Sequence, residues 1–228
     1  MIRIFVPTPL SAEELEKTFP QNVSKMTLDR LPKDQVIVEY IYNNNIGLSK
    51  LYNKILLREK TNNPKDIVLF IHDDVEIHDC YFVGKLQKAH EEFDIVGLAG
   101  GENPRYDMAT GQLALWHTAC SRNSLHGIVA HYIPKDKLYN SVYFGGVPHK
   151  VDVIDGLFMS FNLAKIEDVN IFDEDFEFHH YDLAMCENAS INNLSIGVWL
   201  IFVVHHGLGE FNNDIWKKSN EQFIKKYA

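Results

Sequence analysis

The sequence predicts an α/β protein with a mostly parallel central sheet that helices cover on both sides. The first observation is that strand-like and helix-like segments alternate along the first hundred residues. The second is the run Ile67–Ile71, five apolar residues typical of a strand buried on both faces. The third is that several core runs end in polar clusters, and open α/β sheets bind ligands at the carboxyl ends of their strands.

The first hundred residues predict four strands with helices between them. The expected strands cover residues 2–6, 35–42, 67–71 and 94–99, and the expected helices run from 12 to about 18, from 48 to 62 and from 81 to about 90. Ser11 and Glu14 have the spacing of a capping box, which starts the first helix. Leu48, Leu51 and Ile55 lie three or four residues apart, as on the buried face of a helix.

The second half is less regular. Residues 102–150 mix Gly, Asn, Pro, His and aromatic residues without a sustained period, which predicts loops and short hairpins with a small strand at 142–144. A segment of this length inside a domain is usually a lid or a binding surface. Strands are expected at 151–154 and 196–204. Between these strands we expect a helix with Leu183 and Cys186 on its buried face, and after them a C-terminal helix over 211–227.

The chain of 228 residues, 46% hydrophobic, predicts a single domain over residues 1–228. A net charge of -9 argues against a nucleic-acid partner bound by bulk electrostatics. Cys80, Cys120 and Cys186 are widely spaced, which supports neither a disulfide framework nor a zinc knuckle and predicts a cytoplasmic protein. The longest apolar run is too short to span a bilayer, so we expect no transmembrane segment, while peripheral association with a membrane stays open.

Polar clusters lie at four ends of predicted strands or helices: His72-Asp73-Asp74, Asp155-Gly156, His179-His180-Tyr181-Asp182 and His205-His206. Three of these clusters follow a core strand. Because side chains alternate along a strand, His72 and Asp74 should share one face and Asp73 should take the other. Such an arrangement suits a divalent cation that also contacts a substrate phosphate. The alternative is a set of solvated side chains, since the spacing matches no short zinc motif.

Several of these segments together resemble the bacterial family-2-like glycosyltransferases with the GT-A fold. The matching segments are 43–56 (Asn-Asn-Asn-Ile-Gly-Leu-Ser-Lys-Leu-Tyr-Asn-Lys-Ile-Leu), 68–75 (Val-Leu-Phe-Ile-His-Asp-Asp-Val), 94–101 (Asp-Ile-Val-Gly-Leu-Ala-Gly-Gly), 153–156 (Val-Ile-Asp-Gly), 172–174 (Phe-Asp-Glu), 179–183 (His-His-Tyr-Asp-Leu) and 205–207 (His-His-Gly). Their order and spacing carry the resemblance, which spans about residues 36–216. The chain is most similar to a small glycosyltransferase-like subgroup whose acceptors are mostly unassigned.

The resemblance implies metal-dependent, inverting transfer of a sugar from a nucleotide-diphospho-sugar donor to an acceptor hydroxyl. A glycan or a lipid-linked molecule in bacterial surface polysaccharide biosynthesis is the implied acceptor. Residues from about 1 to 101 would form the nucleotide-sugar half of the domain, and residues from about 102 to 228 the acceptor half. Mn²⁺ or Mg²⁺ would bind the diphosphate, and a homo-oligomeric state stays open.

The family's Asp-x-Asp element falls on His72-Asp73-Asp74, which makes Asp74 the expected metal ligand. His72 replaces the first aspartate; its softer imidazole would favour Mn²⁺ over Mg²⁺, or it would instead bond a donor hydroxyl or phosphate. His205 or His206 matches a late histidine that many such folds add to the metal, and His205 is the residue chosen here. The residues that the resemblance assigns to the donor are Asn43, Gly47, His72, Asp73, Asp155 and Gly156.

The family's catalytic base lies in a Glu-Asp-x-Asp-Leu run, which here reads His179-His180-Tyr181-Asp182-Leu183. His180 occupies the position of the base, and a neutral imidazole suits that role near pH 7. Asp182 is the alternative base; it would otherwise orient His179 from three residues away, or only cap the helix. Trp116, Tyr132 and Tyr143 are candidates for stacking on sugar rings, although packing is expected for any one of them.

Two other functions stay open at this point. A metal-dependent phosphoester hydrolase would use His72, Asp74 and His205. A sugar-nucleotide-binding protein with a decayed site would explain the missing first aspartate and the missing acidic base.

Overall fold

The structure, a computed structural model, describes residues 1–106, 114–133, 137–207 and 213–228. Within these residues the chain is a mixed α/β protein with two sheets and 7 helices. The helices are α1 (Ala12–Lys17), α2 (Gln21–Leu28), α3 (Leu48–Asn62), α4 (Phe82–Glu92), α5 (Trp116–Ala119), α6 (Tyr181–Ile191) and α7 (Asp214–Tyr227). None of these described helices is both long enough and apolar enough to cross a membrane.

The strands are short and lie mostly in the interior of the protein. They are β1 (Ile2–Pro7), β2 (Val36–Ile41), β3 (Ile67–Ile71), β4 (Val75–Ile77), β5 (Ile95–Gly97), β6 (Ala99–Gly101), β7 (Leu125–Ile133), β8 (Leu138–Gly145), β9 (His149–Val151), β10 (Val153–Ile154), β11 (Phe158–Asn162), β12 (Ile196–Val198) and β13 (Val203–His205). A 3-10 turn at Arg122–Ser124 precedes β7.

The larger sheet has the order β2-β1-β3-β11-β5-β12-β9. Strand β1 pairs in parallel with β2 and β3, and β5 pairs in parallel with β12. Strand β11 is antiparallel to both β3 and β5, and β9 is antiparallel to β12. The smaller sheet has the order β10-β6-β7-β13-β4, and β8 pairs with β7 outside that path. The α/β class is therefore confirmed, whereas a single, mostly parallel sheet is not.

Three segments that the sequence predicts as continuous strands are divided between the two sheets. The segment 94–99 becomes β5 and β6, the segment 151–154 becomes β9 and β10, and the segment 196–204 becomes β12 and β13. Glycines allow the close packing at the first crossing. A Cβ on Gly97 would lie 2.9 Å from Cβ of Ile154, and one on Gly100 would lie 2.2 Å from the carbonyl oxygen of Val153.

Four elements were not predicted, namely α2, β4, α5 and β11. The expected short hairpins include one long hairpin, β7–β8, whose second strand contains the predicted strand 142–144. The C-terminal helix begins at Asp214, where Asn213 caps it by accepting from the Trp216 N–H. The predicted start at 211–212 lies outside the described residues.

A single buried cluster of apolar side chains joins both sheets to the helices. At its centre Phe70 is fully buried on β3 and stacks on Tyr52 of α3, with ring centroids 3.9 Å apart. Phe161 of β11 and Phe172 pack edge-on against the same ring. The carboxyl end of β3 lies at the border of this core, and the candidate site begins at that end.

Candidate metal centre and active site

Three potential metal ligands, His72, Asp74 and His205, meet at the carboxyl end of β3. One ligand atom from each lies within 4.8 Å of the others. Nε2 of His205 is 3.5 Å from Oδ1 of Asp74, and the rings of His72 and His205 have centroids 5.9 Å apart. Two imidazoles and a carboxylate are a donor set that suits a divalent transition metal.

The two sheets together position these ligands. His72 follows β3, and its backbone N–H donates to the carbonyl of Leu157 at 3.1 Å. Asp74 directly precedes β4, which pairs antiparallel with β13 and places His205 opposite Val75. The N–H of the next residue, His206, donates to the Asp74 carbonyl at 3.2 Å, so the backbone of the late histidine segment is tied to that of the ligand aspartate.

The residues around the cluster fit a bound cation. Gly207 passes so close that a Cβ there would lie 2.8 Å from both Oδ2 of Asp74 and Nε2 of His205. A larger residue would fill the space beside the donor atoms. Nδ1 of His205 is buried and has no hydrogen-bond partner among the described residues.

The electrostatics of the cluster favour an ionised carboxylate and a neutral His72. Burial would raise the pKa of Asp74, but its hydrogen bond with His205 and the nearby imidazoles hold that pKa below the ordinary value. Burial and the charge of His205 lower the pKa of His72. Burial would also lower the pKa of His205, yet Asp74 raises it above the ordinary value. Metal binding would therefore compete with protonation of His205.

Tyr181 connects His72 to the rest of the site. Its hydroxyl donates to the carbonyl of Gly156 at 3.1 Å and lies 2.8 Å from Nε2 of His72. The hydroxyl has only one proton, which goes to the Gly156 carbonyl, so Nε2 of His72 must donate to the hydroxyl oxygen. Nδ1 of His72 then carries the lone pair that can bind a metal. Tyr181 was not among the predicted site residues. The one available signal was its position inside a polar motif at a helix start.

Asp155 is held firmly beside the cluster. Its Oδ2 accepts from the Trp116 indole at 2.7 Å, and its Oδ1 accepts from the Leu157 N–H at 3.0 Å. Trp116 is 6% exposed and packs edge-on against Phe144, so it orients Asp155 and is not available to stack on a sugar.

Asp182 is a partly buried carboxyl at the start of α6. Its Oδ2 accepts from the Gly156 N–H at 3.0 Å, and its Oδ1 accepts from the Leu183 N–H at 2.9 Å. Burial, followed by the charge of Asp155, raises the pKa of Asp182 to about 7. A carboxyl with that pKa can accept and release a proton near neutral pH.

His180 lies in a different environment, against helix α7. Its Nδ1 lies 2.8 Å from Oγ of Ser219, and its ring packs against Trp216 and Phe223. The residue is 5% exposed and has a left-handed backbone with φ 62. Burial and the charge of His179 lower the pKa of His180 to about 4. The packing of the His180 ring against α7 does not favour the role of base that the sequence predicts for it, and that role stays a prediction.

The other residues assigned to the donor lie around the ends of β1 and β2. Asp73 points away from the cluster, with Oδ1 3.4 Å from Nε2 of Gln21 and a further hydrogen bond to Thr8. Asn43 is exposed with φ 52, and its N–H donates to Leu10 at 3.0 Å. Gly47 begins α3, where a Cβ would lie 2.8 Å from Cβ of Glu177.

The structure separates the two late histidines. Nε2 of His206 bonds the buried carboxylate of Glu76, whereas His205 faces Asp74. His131, which was not among the predicted site residues, lies beside His205 on the neighbouring strand β7, with ring centroids 5.5 Å apart. Since burial and His205 both lower the pKa of His131, this ring adds a neutral imidazole to the wall of the site.

No protein-family model matches the chain, and no curated protein matches it. Among solved structures the chain is similar to the crystal structure of A197 from STIV, with 11% sequence identity and a TM-score of 0.48. The similarity covers 93% of this chain and 98% of that chain. Function must therefore be inferred from the side chains of this protein.

Proposed function

We propose that this protein is a glycosyltransferase with the GT-A fold, which moves a sugar from a nucleotide-diphospho-sugar to an acceptor hydroxyl with inversion. The supporting observation is that a possible metal site and a possible general base lie in one connected site. The cluster of His72, Asp74 and His205 connects through Tyr181 and Gly156 to Asp182, a carboxyl with a pKa of about 7.

His72, Asp74 and His205 would hold the cation, and two imidazole ligands favour Mn²⁺ over Mg²⁺. When bound, such a cation neutralises the charge that develops on the departing nucleoside diphosphate. Tyr181 keeps the ring of His72 oriented, and outer-shell bonds of this kind tune ligand affinity.

Asp182 would take the proton from the acceptor hydroxyl. With a pKa of about 7, about half of the Asp182 carboxyls are ionised at neutral pH. The ionised form is a far stronger base than an aspartate with the ordinary pKa. Asp155 contributes the neighbouring charge, and Trp116 holds Asp155 in place. This assignment replaces His180 with Asp182 as the base.

The donor nucleotide would lie over the ends of β2 and β3, where Asn43 and Asp73 offer polar groups. On the acceptor side Tyr143 is 69% exposed and free to stack on a sugar ring. Tyr132 instead packs between Phe19 and His206. The acceptor class, a glycan or a lipid-linked molecule, is carried over from the family resemblance.

A thermal-shift screen of nucleotide sugars with and without Mn²⁺ tests this proposal. We expect one donor to stabilise the wild type only when Mn²⁺ is present, and Asp74→Asn to lose that effect. Asp34→Asn, at an exposed aspartate, is the matched control and should behave as the wild type. The proposal fails if no donor stabilises the protein with any metal, and the ligand assignment fails if Asp74→Asn binds the donor unchanged.

Metal-dependent phosphoester hydrolysis is the second candidate, because two histidines and one carboxylate are also the protein ligands of hydrolytic zinc sites. That function predicts release of phosphate from p-nitrophenyl phosphate without any acceptor, and the loss of this activity in Asp74→Asn. A protein that binds sugar nucleotides without catalysis would bind a donor in the presence of Mn²⁺ but would convert neither the nucleotide sugar nor p-nitrophenyl phosphate.

A further inference from the structure

A second group of potential metal ligands lies outside the site described above. Glu102 follows β6, His126 lies on β7 and His149 begins β9, and one ligand atom from each lies within 4.8 Å of the others. We propose that these three side chains bind a divalent transition metal, with Zn²⁺ the expected ion, and that the bound ion fastens the two sheets together.

The distances within the group support a shared ion. Nε2 of His126 lies 3.0 Å from Oε1 of Glu102, and Nε2 of His149 lies 3.1 Å from the same oxygen. In a tetrahedral site with bonds of about 2.1 Å, neighbouring ligand atoms are about 3.4 Å apart. The two imidazole rings are stacked, with centroids 3.5 Å apart and planes at 9°. Because the lone pair of Nε2 lies in the plane of its ring, the ring of His149, which is 40% exposed, must tilt for both nitrogens to bind one ion.

The hydrogen bonds leave a pair of acceptors facing each other. Nδ1 of His126 lies 3.1 Å from the carbonyl oxygen of Gly146, which can only accept, so Nδ1 carries the proton. In the neutral His126 ring Nε2 then carries no proton, and its lone pair points at the Glu102 carboxylate, which is also an acceptor. A cation between the two atoms turns this repulsion into coordination. A backbone carbonyl that fixes the histidine tautomer is also the usual outer shell of a metal-bound imidazole.

Protons would replace the ion only if His126 were charged, because both of its ring nitrogens face acceptors, whereas His149 would donate from Nε2 as a neutral ring. The ion requires no charged ring in this stacked pair. One divalent ion satisfies all three lone pairs at once. Imidazole and carboxylate together suit Zn²⁺ among the common cellular cations.

The position of the group explains what the ion would do. Strands β6 and β7 belong to the smaller sheet, and β9 is the edge strand of the larger sheet. The side chains of Glu102 and His149 are 37% and 40% exposed, so an ion can enter from solvent and complete its coordination with water. We therefore expect this site to be structural.

Zinc titration of chelator-treated protein by calorimetry tests the proposal. The background variant is Asp74→Asn, which removes the first cluster and leaves the second as the expected binding site. We expect about one equivalent of Zn²⁺ to bind, with Tm raised by about 5–10 °C at a zinc concentration near 100 Kd. Adding His149→Ala or Glu102→Gln should abolish both effects.

His78→Ala in the same background is the matched control. His78 is also a partly exposed histidine (38%) that pairs with a glutamate, Glu76, but it lies outside the group. It should leave zinc binding unchanged. The proposal is overturned if the folded Asp74→Asn protein, checked by circular dichroism, binds no Zn²⁺, or if Asp74→Asn/His149→Ala binds it equally well. Both outcomes are independent of any donor or transferase assay.

Discussion

The hydroxyl of Tyr181 lies 2.8 Å from Nε2 of His72 and donates its own proton to the carbonyl of Gly156. One side chain thus fixes the tautomer of a potential metal ligand and also holds the loop whose N–H binds Asp182. A chain of hydrogen bonds therefore connects the ligand cluster to the proposed base.

Tyr181→Phe should weaken Mn²⁺ binding. Loss of the hydroxyl leaves the His72 ring free to rotate, and outer-shell substitutions of this kind typically reduce metal affinity by about 10–100-fold. Calorimetric titration with Mn²⁺ measures the change. Tyr52→Phe is the control, because Tyr52 is equally buried and its hydroxyl has no hydrogen-bond partner among the described residues. Equal affinities in the two variants would contradict the role given to Tyr181.

Gly156→Ala should disturb the hydrogen bonds that join Tyr181 to His72 and to residue 156. A Cβ at this position would lie 2.4 Å from the Tyr181 hydroxyl, so the ring must move away from His72. We expect a loss of about 1–3 kcal/mol in the free energy of unfolding, measured with urea, and weaker Mn²⁺ binding. In Gly84→Ala the new Cβ meets nothing within 4 Å, and this helical position should gain about 0.5–1 kcal/mol. A Gly156→Ala protein as stable as the wild type would refute the packing argument.

Asp182 should make stability fall as the pH rises. Its pKa is about 7 in the folded protein against a reference value of 3.8, so the folded state holds the proton more tightly than the unfolded state. Its contribution is fully favourable below pH 3.8 and is lost as the pH rises through about 7. Urea unfolding of metal-free protein at pH 5 and pH 8 should show a smaller decrease for Asp182→Asn than for the wild type. The same decrease in both proteins would show that the Asp182 carboxyl is not perturbed.

The transferase proposal adds a kinetic expectation for the same residue. Because the base must be ionised, the rate of transfer should rise with pH up to about 7 and then level off. His180→Gln should keep this profile, since the His180 ring packs against α7, whereas Asp182→Asn should lose most of the activity. A pH profile that disappears in His180→Gln would restore His180 as the base.

Phe70→Ala should be among the most destabilising substitutions in the core. The ring is fully buried and packs against Tyr52, Phe161 and Phe172, so its removal leaves a large cavity. We expect a loss of about 3–5 kcal/mol in the free energy of unfolding, measured with urea. Phe178→Ala, at a ring that is 59% exposed, should change stability by less than about 0.5 kcal/mol. Similar losses in both variants would mean that Phe70 does not hold the core.

Local patterns in the sequence predicted much of the fold correctly. The capping box of Ser11 and Glu14 forms as expected, and Leu51, Ile55 and Leu56 are buried on one face of α3. Strand alternation predicted that His72 and Asp74 would lie together and that Asp73 would point away. The side chains have this arrangement, but residues 72–74 form a turn between β3 and β4 and not a continuation of the strand. These features depend on residues only a few positions apart, which is why they can be read from sequence.

Tertiary structure alone decided how distant segments meet. The pairing of β4 with β13 brings His205 to Asp74, and the packing of α6 brings Tyr181 to His72 while it turns His180 toward α7. Likewise, the division of the long strands between two sheets brings Glu102 close to His149. Strand register and the bends at Gly97 and Gly100 depend on the packing of the whole core, and no short stretch of sequence contains that information.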